Sequence, residues 1–163
     1  MSTEQRLEVS LPAQRLRLLD ADGRELARYS VSTAKNGAGE LNGSQCTPRG
    51  WHRIRAKIGA GAPSGAVFVG RRWTGEICTP QLLAANPGRD WILTRVLWLS
   101  GTEPGRNRLG RVDTMRRYIY IHGAPDSATM GVRSSHGCVR MRNAEVIELF
   151  DRVTVGTPVQ ILG

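Results

Sequence analysis

Apolar and polar residues alternate with a period of two in Leu7-Glu8-Val9-Ser10-Leu11 and again in Arg15-Leu16-Arg17-Leu18, the pattern of half-buried β-strands. Asp20-Ala21-Asp22-Gly23 supplies a turn and Leu26 to Val31 returns as a strand, so the opening predicts antiparallel hairpins rather than a βαβ unit. Residues 34–50 hold Asn36-Gly37, Asn42-Gly43 and Thr47-Pro48-Arg49-Gly50, a density of turn formers that predicts an extended loop. Further strands are predicted over Trp51–Arg55, Val67–Val69, Trp91–Leu99 and Arg117–Ile121, separated by Gly and Pro clusters at 59–65 and 101–110. Only one segment has a helical period. Val146, Ile147, Phe150 and Val153 recur at three- and four-residue spacing, Glu145 suits the N-terminal dipole and Asn143 is the expected cap, which predicts a helix over 143–153. Gly156-Thr157-Pro158 then leads into a closing strand, Val159–Leu162. The expectation is a single domain over residues 1–163, mainly β and sandwich- or barrel-like, with one helix packed on the sheet.

Composition narrows the function. A chain of 163 residues is long enough for one hydrophobic core. Its apolar runs, such as Ala66-Val67-Phe68-Val69, fall far short of the roughly 20 residues that span a bilayer, so no membrane insertion is expected. The start, MSTEQRLEVSLPAQRL, has charges where a secretory leader is apolar, which makes the cytoplasm the expected compartment. The net charge of +9 comes almost wholly from arginines scattered in ones and twos from Arg6 to Arg152. Without a basic run or aromatic interleaving this is a solvated surface, or one that meets carboxylates, and nucleic acid is not an expected partner. Cys46, Cys78 and Cys138 cannot all pair within one chain, so at least one thiol is free, and their spacing forms no CxxC framework. A monomer is expected.

Candidate chemistry concentrates in one stretch. Ile121-His122-Gly123 ends a strand, and fifteen residues separate His122 from Cys138 in Ser134-Ser135-His136-Gly137-Cys138-Val139-Arg140. A thiol is a useful nucleophile only as thiolate, and a nearby imidazole takes its proton and returns one to the leaving group. Gly137 permits a sharp turn before the cysteine, so that backbone amides around Gly137 and Cys138 can face a developing oxyanion. His136 is open between a second base and a wall of the site. His122, His136 and Cys138 could in principle bind zinc, but no further ligand cluster accompanies them and the thiol–imidazole pair is complete without an ion, so neither metal nor cofactor is expected. Trp51, Trp73, Trp91 and Trp98 read as core or cleft wall and His52 as exposed or satisfied; the pairs Arg71-Arg72 and Arg116-Arg117 could meet substrate carboxylates, but as solvated surface they need no function.

His122-Gly123, Gly131, Ser135-His136-Gly137-Cys138-Val139-Arg140-Met141 and Asn143 together resemble the signature of the L,D-transpeptidase catalytic domain, the YkuD domain. The Tyr29–Thr33 strand end, the Thr47–Gly50 loop and Val155-Gly156-Thr157-Pro158-Val159 fit the same domain, so the resemblance covers nearly the whole chain. It implies attack by a cysteine on the carbonyl of an L-centred residue, usually diaminopimelate, joined to D-alanine in a murein stem peptide. D-alanine leaves and a thioester remains. By that resemblance Cys138 is the nucleophile, His122 the acid/base, the Gly123 carbonyl its orienting group, and His136 and Gly137 part of the oxyanion pocket. Ser135 is implied to bind substrate, and Arg140 to position the substrate or brace the loop. Gly123 stands where some members have serine, an exchange expected to change little.

The acceptor decides the outcome. Water gives an L,D-carboxypeptidase that trims recycled tetrapeptides, the favoured expectation for a chain that stays in the cytoplasm. The alternatives are a periplasmic transpeptidase forming cross-links, whose leader lies outside this sequence, and a murein-binding module with a vestigial site. The resemblance also implies that carbapenems acylate Cys138.

Overall fold

The computed structural model describes residues 4–163; the first three residues of the domain expected over 1–163 lie outside the described residues. Ten strands follow in chain order: β1 (Arg6–Ser10), β2 (Arg15–Leu19), β3 (Glu25–Ser30), β4 (Gly50–Ile58), β5 (Ala66–Val69), β6 (Arg72–Ile77), β7 (Ile92–Gly101), β8 (Tyr120–Gly123), β9 (Val139–Met141) and β10 (Pro158–Leu162). Two helices accompany them, α1 (Pro80–Ala85) and α2 (Asn143–Arg152). The strands form one sheet in the order β3-β2-β1-β10-β4-β7-β5-β6, and β8 branches from β7 to carry β9. The mainly β architecture is the expected one.

The opening alternation does what a period of two requires. Leu7 and Val9 of β1 and Leu16 and Leu18 of β2 are fully buried, while Glu8 and Arg17, cross-strand partners on the other face, pair at 2.6 Å. The buried face packs with Leu97, Leu99, Ile121 and Val139 against Val146, Leu149 and Phe150 of α2. Each fully buried aliphatic side chain contributes about 1.5–3 kcal/mol, so this layer is what holds α2 on the sheet. Sequence and structure agree here because burial and periodicity carry the same information.

Four details depart from the sequence reading. The strand expected over Arg117–Ile121 begins at Tyr120, because residues 114–118 form a turn with Tyr118 at φ +56°. A second helix, α1, is present, with Pro80 at its start and the Thr79 hydroxyl accepting from Leu82 N; its six residues are too few to show a period. The sequence pattern predicts no strand at β6 or β9; β6 is exposed along most of its length and β9 has three residues. Asn143 does not cap α2. Arg142 holds the cap position without a side-chain bond, and Asn143 turns inward.

Candidate active site

The parallel pairing of β8 with β9 aligns Ile121 with Val139 and His122 with Arg140. Cys138, the residue before β9, therefore lies beside Tyr120, whose amide donates to Cys138 Sγ at 3.3 Å. Tyr120 and His122 are two apart on one strand and face the same way. Cys138 and His122 thus open into one cleft of about 620 Å³, together with Arg71, Asp90, Arg117, Tyr118, Ser134, Ser135, His136 and Arg140. A larger concavity of about 820 Å³ lies around Trp51, Arg152 and Pro158, and neither Cys138 nor any histidine lines it.

His122 is held by its neighbour. Its Nδ1 lies 2.6 Å from the Gly123 carbonyl oxygen, so Nδ1 carries the proton, donates it there, and leaves Nε2 unprotonated. Burial pushes the imidazole pKa down to about 4, with Arg140 adding to the fall, and pushes the Cys138 thiol up to about 12, against the Tyr120 amide and the cations Arg117 and Arg140. At neutral pH the resting pair is therefore thiol and neutral imidazole. The Cys138 thiol donates to Tyr118 O at 3.4 Å in that state.

The loop that carries Cys138 is clamped from two sides. Ser134 N and Ser135 N both donate to Thr33 O at 2.9 Å, Lys35 N donates to Ser135 O at 2.9 Å, and Thr47 Oγ1 donates to Gly137 O at 2.9 Å. Thr47 of the long loop thus ties that loop to the residue before the cysteine. Gly137 adopts φ +131°, and a Cβ there would stand 3.0 Å from Ile119 Cδ1 and 3.2 Å from Cys46 O, so only glycine fits. Its amide donates to Ser135 Oγ at 3.2 Å, and that hydroxyl in turn donates to Cys138 O at 2.6 Å. Ser135 is buried, its hydroxyl taken up inside the loop, whereas His136 is exposed on the rim and Arg140 donates to Ser134 Oγ at 3.2 Å.

Three contributors escaped sequence reasoning. Arg117, read as half of a solvated pair, donates to Gly39 O, Glu40 O and Cys46 O at 3.2, 3.1 and 2.6 Å and so ties the long loop to the cleft. Thr94 and Asn143 support the peptide that orients His122. Thr94 Oγ1 donates to Asn143 Oδ1 at 2.5 Å, while Asn143 Nδ2 donates to Ala124 O at 2.9 Å and Asp126 Oδ1 at 3.1 Å. Their packing also fixes residue 123: a Cβ on Gly123 would collide with Asn143 Oδ1 and stand 2.7 Å from Leu93 O. The serine exchange expected to change little does not fit here. The one available signal for Asn143 was its place in the motif; for Thr94, a β-branched residue at φ +75° inside a strand, the sequence gives none.

His52 is buried and satisfied by Gly50 O at 3.0 Å and Thr114 Oγ1 at 2.9 Å. All three cysteines are free thiols. Of the tryptophans, Trp91 is buried and Trp98 half-buried, but Trp51 and Trp73 are exposed rather than core. Among the described residues no three His, Cys, Asp or Glu side chains gather to hold a metal, and no helix is long and apolar enough to cross a membrane.

Comparison with known proteins places this geometry. "Probable L,D-transpeptidase YbiS" of Escherichia coli (strain K12) is 48% identical over 46 residues, a segment that is 28% of this chain and 15% of that protein. Among solved structures, an L,D-transpeptidase from Mycobacterium smegmatis superposes with a TM-score of 0.58 at 21% identity, covering 98% of this chain and 59% of its own. The LD transpeptidase LdtMt1 in complex with imipenem gives 0.56 at 19% identity, covering 97% and 58%. These likenesses establish the shared fold, and this chain spans well under two thirds of each of these relatives. The family model for the L,D-transpeptidase catalytic domain, YkuD, matches residues 4–161, and the chain belongs to that family.

Proposed function

We propose that the chain is a cysteine acyl-transfer enzyme that cleaves the bond between an L-centred residue, diaminopimelate or lysine, and D-alanine in murein tetrapeptides, with water as acceptor, making it an L,D-carboxypeptidase. The observation that carries the reading is the opening of Cys138 and His122 into one cleft, with His122 Nδ1 committed to the Gly123 carbonyl and Nε2 free to accept a proton. Because both groups rest neutral, proton transfer from thiol to Nε2 accompanies attack on the carbonyl carbon. Amides of the Ser135–Cys138 loop stabilise the oxyanion; with the Gly137 amide given to Ser135, that duty falls to its neighbours. Collapse expels the amine of D-alanine, protonated by His122, and leaves a Cys138 thioester. His122 then deprotonates a water that attacks the thioester, and the sulfur leaves as thiol.

Arg140 is proposed to meet the substrate from the rim and His136 to wall the site, while Ser135 braces the loop. The family's imipenem-bound member supports a further expectation, that a carbapenem carbonyl acylates Cys138.

Mass spectrometry of a disaccharide tetrapeptide incubated with the protein, with and without a second stem peptide as amine acceptor, tests the reading. Loss of D-alanine to give tripeptide is expected, and Cys138→Ala should lower the rate at least about 10³-fold with little change in melting temperature. Cross-linked or exchanged product would move the assignment to transpeptidase, and no reaction beyond that of Cys138→Ala would leave a binding module.

A further inference from the structure

β5 and β6 are joined by two residues, Gly70 and Arg71, with φ +56° and +64°. A two-residue hairpin with positive φ at both positions is served best by Asn-Gly or Gly-Gly, and a long side chain in the left-handed region costs roughly 1–2 kcal/mol. The turn itself therefore gives no reason for an arginine at 71.

The side chain supplies one. The Arg71 guanidinium lies over two aromatic rings, 4.9 Å from the Trp98 centroid and 5.0 Å from that of Tyr118, and Nη1 donates to the Tyr120 hydroxyl at 3.3 Å. Trp98 packs against Tyr118 and Tyr120 with centroids 6.1 Å apart in each case, so the platform is itself braced. Tyr120 links this cation to the reacting centre, for its amide touches Cys138 Sγ while its hydroxyl touches Arg71. Arg71 lines the same cleft as the thiol.

Two other cleft arginines are already engaged, Arg89 with Glu76 at 2.8 Å and Arg117 with backbone carbonyls, while Arg140 stays on the rim beside Ser134, away from the aromatic platform. The groups that act on the Arg71 guanidinium are the hydroxyls of Tyr120 and Tyr118, and Asp90, which also lines the cleft, is not among them. A stacked, pre-oriented guanidinium with most of its donors uncommitted matches the geometry of a carboxylate.

We propose that Arg71 is a binding residue for a carboxylate of the acyl-donor peptide, held ready by Trp98, Tyr118 and Tyr120. This rests on the acyl-transfer reading above and names what the donor must carry. Two groups of a diaminopimelate–D-alanine donor have that chemistry: the terminal carboxylate of D-alanine and the side-chain carboxylate of diaminopimelate.

Three tetrapeptides distinguish them: the free acid, the C-terminal amide, and the peptide amidated on the diaminopimelate side chain. kcat/KM is measured for each with the unaltered protein, with R71N and with R72Q. Asparagine tolerates the left-handed conformation, so R71N removes the charge and keeps the turn, and its melting temperature should be unchanged or higher. With the unaltered protein and with R72Q, amidation at one of the two positions should lower kcat/KM roughly 10- to 100-fold. With R71N that discrimination should collapse to less than about threefold, the free acid now reacting as slowly as the amide. The position at which it collapses identifies the carboxylate bound. Retention of full discrimination by R71N, or equal reaction of acid and both amides with the unaltered protein, overturns the proposal. Should the unaltered protein release no D-alanine and form no Cys138 thioester with any peptide, the acyl-transfer reading itself fails, a result separable from loss of discrimination.

Discussion

The β1–β2 ladder and the β7–β8–β9 wall belong to one sheet but are built on different rules. β1 and β2 pair over five residues without a shift, alternating buried and half-exposed as a two-residue period dictates. Along β7 the pairing with β8 slips between Leu93 and Val96, Thr94 sits at φ +75° with its side chain fully buried, and Tyr118, just before β8, is left-handed as well. The first region is made of interchangeable apolar contacts. In the second, hydrogen bonds override what the backbone prefers, and residues held in such conformations persist only where their surroundings over-determine them. Stability should depend chiefly on the first region and turnover on the second.

The largest separation of the two should come from Leu16→Ala. Leu16 is fully buried in the layer under α2, and the truncation should cost roughly 2–5 kcal/mol in urea unfolding while leaving the rate per folded molecule within about twofold. A proportionate loss of activity in the folded protein would show that the two regions are not independent.

Acid should reveal the next difference. Burial holds His52 neutral, with its pKa lowered to about 4, whereas an unfolded histidine titrates near its ordinary value of about 6.5. Between these values the unfolded chain binds more protons, so this contribution is complete above about pH 6.5 and is lost as pH falls towards 4. Equilibrium unfolding at pH 7 and pH 4.5 should differ by roughly 2–3 kcal/mol from His52 alone, and His52→Gln should reduce the difference by about that amount. His122 titrates in the same direction, which leaves a residual slope in the variant.

Thr94→Ser sharpens the comparison at its finest point. Serine keeps the hydroxyl that donates to Asn143 and removes the β-branch from a left-handed position, so stability should change by less than about 1 kcal/mol and kcat should stay within about threefold. Thr94→Ala should instead lower kcat roughly 10-fold with little effect on KM, since a lost hydroxyl frees Asn143 and the peptide that orients His122. Equal behaviour of the two variants would leave Thr94 a packing residue only.

These contrasts also explain what could be read from the sequence. Leu7, Val9, Leu16 and Leu18 announced their strands because burial repeats at fixed spacing, and the His122–Cys138 pair was legible because most of its motif is contiguous in the chain. Arg71 and Arg117 stay open in the sequence between solvent and a substrate carboxylate, since an Arg-Arg doublet looks the same whether it meets solvent, a stacked aromatic platform or the carbonyls of a loop some 70 residues away. β6 and β9 were missed for another reason: one is exposed and the other has three residues, so neither imposes a period. The inward turn of the Ser135 hydroxyl has no signal in the sequence, since it answers the need of Cys138 O and Gly137 N for a partner.

β10 lies in the middle of the sheet, parallel to β1 on one side and antiparallel to β4 on the other. It follows the other nine strands in sequence, so the β3-β2-β1 edge cannot join the body that carries the cleft until residues 158–162 have been delivered. Assembly is gated by the β1–β10 pairing, a contact about 150 residues apart in sequence, and such long-range pairing is slow to form. A nascent or clipped chain lacking those five residues would present two open strand edges, at β1 and β4, before it presented a working cleft.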